Sequence, residues 1–146
     1  MLFSHERNDL RQVFFNAWNK HNKHTPLEPM EQIIVQVIKL HPEYHHFFEN
    51  SSSNLNKDFS PEMGETNPFL HLSMHIAIHE QLSVNQPQGI TGNYKKLLKK
   101  TNDPHETEHE LMDCLGEMIW LAQRENKAPD EKVYMDCIKL KLGIAN

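Results

Sequence analysis

Histidine is the residue type in this chain most able to do chemistry: eleven of 146 positions carry it. At that frequency chance places ~0.8 pairs at a spacing of four. The sequence holds four, His41/His45, His71/His75, His75/His79 and His105/His109. On a helix, residues four apart share a face with Cβ atoms ~5–6 Å apart, so two imidazoles can reach one ion or neighbouring ions. Glu108 completes a His-x-x-Glu-His string with His105 and His109 and adds a carboxylate to the donor list. The expected donors are therefore His41, His45, His71, His75, His105, Glu108 and His109, around a mono- or dinuclear site. Imidazole with few carboxylates suits a divalent transition metal, with Fe or Zn the first choices.

Helices must carry these donors. Five glycines, no alternating Val/Ile/Thr runs and recurrent apolar periodicity define an all-α protein, expected to be one helical bundle of about five to six helices spanning residues 1–146. A first helix from an N-cap at Ser4 to Lys20 has Leu10, Val13, Phe14, Ala17 and Trp18 as its apolar stripe. A second starts near Pro29 with Met30, Ile33, Ile34, Val37 and Ile38, and is kinked or restarted at Pro42 before continuing to Glu49. Asn50 to about residue 66 reads as a surface loop, including the turn chemistry of Ser60-Pro61-Glu62-Met63-Gly64. Asn67-Pro68 and Asp103-Pro104 are N-cap and first-turn pairs that open helices to about Val84 and Glu125. A short basic helix over Ile90–Lys100 lies between them, and Asp130 caps a last helix ending at Gly143.

The helical wheel orients the donors. If the second helix runs on through Pro42, His41 and His45 fall within ~20° of Ile34, on its buried stripe. His71 and His75 sit among Met74, Ile78 and Leu82 on a helix with little polar face. Glu108 lies near the middle of the stripe formed by Leu111, Met112, Leu115, Ile119 and Ala122, with His105 and His109 flanking it. A carboxylate there is costly unless paired or bound to metal.

Composition narrows the alternatives. The net charge of −5 argues against non-specific nucleic-acid binding, and Lys95, Lys96, Lys99 and Lys100 read as the solvated face of a short helix. No apolar run approaches the ~20 residues of a membrane span, and the N-terminus lacks a signal-peptide core, so a cytoplasmic protein without membrane contact is expected. Cys114 and Cys137 show no metal or redox spacing and read as buried thiols. The competing function is a non-enzymatic protein-interaction module with structural histidines, acting as a homo-oligomer or on another protein. Metal-free acid–base catalysis ranks below both, because no Ser or Cys nucleophile sits in a recognisable motif. Bis-histidine haem ligation stays open, as does whether the protein is an enzyme.

Three strings carry a resemblance: His41-Pro42-Glu43-Tyr44-His45, Asn67-Pro68-Phe69-Leu70-His71 running on to Ile78, and Glu108-His109-Glu110-Leu111-Met112-Asp113-Cys114, followed by Trp120-Leu121-Ala122-Gln123-Arg124. Over nearly its whole length the chain resembles a bacterial family known as domain of unknown function 1841. That resemblance implies no activity. At His79 the family pattern often has Arg, which leaves His79 outside the expected donor set. In arrangement alone, the chain is also similar to haemerythrin-like metal-binding bundles. The roles open to such a site are redox or oxygen sensing, metal handling and metal-assisted hydrolysis.

Overall fold

Proline and side-chain caps set where the helices begin. In a computed structural model, which describes residues 2–59 and 67–143, the order is α1 (Leu2–Asn22), α2 (Pro29–Lys39), a 3-10 turn (Pro42–Tyr44), α3 (His45–Phe48), α4 (Ser51–Asn54), α5 (Pro68–Val84), α6 (Ile90–Thr101), α7 (Pro104–Glu125) and α8 (Glu131–Leu142). The described residues contain no strand, so the all-α class holds. Among the described residues eight α-helices replace the expected five to six, because Pro42 splits the second helix and the expected loop folds a single turn at Ser51–Asn54. Ser60–Gly64 lies outside the described residues. Asn67 caps α5 through Phe69 N–H (3.0 Å), Asp103 caps α7 through His105 N–H (3.2 Å), and Asp130 caps α8 through Lys132 N–H (2.9 Å). Ser4 is no cap, since α1 already begins at Leu2.

The chain divides into two compact units, residues 1–76 and 77–146, with the division inside α5. In the first, α1 buries Phe14, Phe15, Ala17 and Trp18 against Ile34, Val35, Val37 and Ile38 of α2, Phe48 of α3, and Phe69 and Leu72 of α5. Phe69 is the hub of the aromatic rings, 5.7 Å from Phe15, 5.4 Å from Phe47 and 5.8 Å from Phe48 between centroids. Such edge-to-face pairs add ~0.5–1.5 kcal/mol each beyond the area they bury. The inward stripe of α1 differs from the expected one: Leu10 and Val13 are exposed, and Arg11 is buried instead. Its guanidinium lies 4.4 Å from the Phe69 ring and donates to the carbonyls of Leu55 (3.1 Å) and Lys57 (2.8 Å), tying the chain after α4 onto α1. Charge on an aromatic face with two carbonyl acceptors makes that burial tolerable. Met30, in the first turn of α2, is exposed as well.

In the second unit α7 buries Thr107, Glu108, Leu111, Met112, Cys114, Leu115 and Ala122. From α8, Tyr134 and Ile138 are buried, and Tyr134 Oη donates to Gln81 Oε1 at 2.7 Å. Burial raises the Tyr134 phenol well above its ordinary value, so it stays a donor. Cys114 and Cys137 are not free thiols: they form a disulfide joining α7 to α8, with Cα atoms 5.5 Å apart. The separation of 23 residues spans two helices and a turn, so no local motif announces the pairing. Lys95, Lys96, Lys99 and Lys100 are exposed, as the solvated-face reading requires. Ile90 and Leu97 fill the buried side of α6. Among the described residues no helix is long and apolar enough to cross a membrane.

Candidate metal centre

The first unit brings three imidazoles together. His41 follows the C-cap of α2, and Pro42 forces it out of the helical region to φ −124°, ψ 74°. That break turns the ring back along α2, where Nδ1 lies 2.8 Å from the Val37 carbonyl. A carbonyl only accepts, so Nδ1 donates to it and Nε2 is the ring nitrogen turned toward α5. This is the backbone anchoring that orients a ligating histidine. His71 Nε2 lies 3.0 Å from His41 Nε2, where its N–H donates to that nitrogen in the metal-free protein. His75, one turn further along α5, closes a triangle of rings with centroids 4.8 Å apart for His41/His71, 4.8 Å for His41/His75 and 5.0 Å for His71/His75. His41 and His75 are buried and His71 is half-buried.

Those spacings can be compared with metal geometry. Two nitrogens at ~2.05 Å from a tetrahedral zinc lie ~3.3 Å apart, and the centroids of their rings ~5 Å apart. The triangle meets the second figure, and the His41–His71 contact is ~0.3 Å short of the first. Tyr44, which the sequence reading did not single out, stacks on His41 at 5.3 Å with planes 15° apart and meets His71 edge-on at 6.0 Å. Burial, then the charge of Glu43, raises its pKa, so it flanks the cluster as a neutral phenol. Its position two residues after Pro42, in the same 3-10 turn, was the available signal.

His45 is not brought to this triangle. The wheel that aligned it with His41 assumed a continuous helix, and the 3-10 turn at Pro42–Tyr44 breaks that register. Its Nε2 lies 2.9 Å from the Ile38 carbonyl and its ring packs 4.8 Å from Trp18.

The second unit holds further donors of its own. Glu108 is buried, 7% exposed, as its place on the apolar stripe requires. Its Oε1 lies 3.0 Å from Nε2 of His79, a histidine the expected donor set had left out. The buried carboxylate was the clue that a partner was needed. His105 and His109 flank Glu108 on α7, half-buried, with ring centroids 4.2 Å apart and donor nitrogens within 4.8 Å. Burial, then Glu108 and then Asp103, raises the phenol of Tyr94 on α6.

These observations define an all-helical protein with inward imidazoles in each unit, those of the second accompanied by a buried carboxylate. The family model described as domain of unknown function (DUF1841) matches residues 6–140, and the chain belongs to that family. No curated protein and no solved structure matches it.

Proposed function

We propose that this is a metal-binding protein whose primary donors are His41, His71 and His75, with Zn or Fe as the ion. The observation that carries the reading is the convergence of three imidazoles, with ring centroids 4.8–5.0 Å apart and the His41 ring anchored through Nδ1 on the Val37 carbonyl so that Nε2 faces His71. Three neutral imidazoles suit either metal, and a set of three leaves a position for water or a small ligand. That open position is what redox or oxygen sensing, metal handling and metal-assisted hydrolysis have in common. We assign His105, Glu108 and His109 on α7 to metal as well. The test is element analysis of protein purified without an affinity tag, alongside His71→Ala and His105→Ala/His109→Ala. Near-stoichiometric Zn or Fe that falls in His71→Ala supports the reading. Metal far below one equivalent, unchanged after reconstitution, rejects it.

A structural role for histidine has its own observation. His45 spends Nε2 on the Ile38 carbonyl and its ring on Trp18, and both contacts serve packing. His45→Ala should therefore lower stability, by ~1–3 kcal/mol for a lost buried partner, and leave metal content unchanged.

A further inference from the structure

The side of α7 turned away from its core carries a stripe that the metal reading does not use. Asp113, Glu117, Trp120 and Arg124 are all exposed and follow the 4-3-4 spacing of a helix–helix seam. Trp120 is 56% exposed, and the Arg124 guanidinium lies 5.2 Å from its ring. Exposed Trp and Arg side by side are the residue types that dominate protein–protein hot spots. Beside them opens a cavity of about 180 Å³ whose floor of Met118, Leu121 and Val133 is rimmed by Glu125, Lys127 and Asp130.

We propose that this stripe is the interface of a homodimer in which two copies of α7 pair antiparallel about a two-fold axis passing between Trp120 and Leu121. The charge order selects both the occupant and the direction. Glu117 and Arg124 lie equally far on either side of that point, ~5 Å along the helix at 1.5 Å per residue. In an antiparallel pair each Glu117 therefore faces the Arg124 of the other copy, twice per dimer, as a self-complementary surface requires. A parallel pair would set Glu117 against Glu117 and Arg124 against Arg124. Within one chain the two are two helical turns apart, too far to pair, and neither has an ion-pair partner among the described residues. The indole of each copy then covers the Met118/Leu121/Val133 cavity of the other, removing an exposed aromatic from water.

The inference does not depend on metal. Sedimentation equilibrium of the full chain over a wide concentration range tests it. The wild-type protein should show a monomer–dimer equilibrium. Trp120→Ala and Arg124→Glu should each raise the dissociation constant at least ~10-fold, and Glu117→Arg combined with Arg124→Glu should return it to within ~3-fold of wild type. All three positions are exposed, so unchanged far-ultraviolet circular dichroism should accompany these shifts. A wild-type chain that stays monomeric throughout, or a dimer indifferent to Arg124→Glu, would overturn the proposal.

Discussion

Cys137→Ser should destabilise this protein by opening the loop that the Cys114–Cys137 disulfide closes. The disulfide closes a loop with a sequence separation of 23 between Cys114 and Cys137. Removing that constraint from the unfolded chain is worth about 3.4 kcal/mol at 25 °C in the chain-entropy treatment. For 146 residues melting in one transition, an unfolding entropy of ~2.1 cal/mol/K per residue converts this to a fall in Tm of about 11 °C. Cys137 is the better site to alter, because it is half-buried while Cys114 is fully buried and its replacement would add a packing defect. The assay is urea and thermal unfolding of wild type and Cys137→Ser without reductant, with reduced wild type as the control. The reduced protein should coincide with the variant. Two alkylatable thiols in the unreduced, denatured wild-type protein, or a variant with unchanged Tm, would refute the reasoning.

Other expectations follow from single contacts. Arg11→Leu removes the donors to Leu55 and Lys57 and the stacked charge on Phe69, and should cost ~2–4 kcal/mol in urea unfolding, with faster proteolysis after α4. The Glu28 N–H and the Lys20 ammonium hold the Glu31 carboxyl below its ordinary range. A depressed folded pKa contributes stability above the unfolded value that is lost as pH falls through the folded one, so acid should destabilise wild type more than Glu31→Gln. His79→Ala removes the imidazole 3.0 Å from the buried Glu108 carboxylate and should destabilise by ~1–3 kcal/mol in the same urea assay, whereas Glu108→Leu with His79→Ala should recover part of the loss.

The elements were legible where one residue has one local consequence. Asn67-Pro68, Asp103-Pro104 and Asp130 each satisfy an orphan backbone donor, and the helices begin where those residues stand. The His71/His75 pair was legible for the same reason, since α5 is unbroken across it. His41/His45 was only half legible: Pro42 moved His41 to a place where its ring faces α5 and sent His45 toward Trp18, which no wheel drawn through a proline can show. The stripe of α1 was misread because hydrophobicity alone ranks Leu10 above Arg11. A guanidinium with an aromatic face and two carbonyls to bind can take the inward position. Tertiary pairings left the least trace. The Cys114–Cys137 bond links two helices across a turn, while Glu108 advertised only its need for a partner, and His79 supplied it.

The central claim is that His41, His71 and His75 hold a metal ion, and titration of metal-free protein with Co²⁺ tests it most directly. Cobalt bound by imidazoles in a four-coordinate site should give intense visible absorption that saturates, is displaced by Zn²⁺, and is weakened and shifted in His71→Ala while persisting unchanged in His45→Ala. Saturation with an identical spectrum in His71→Ala, or no visible band in the wild-type protein, would contradict the account.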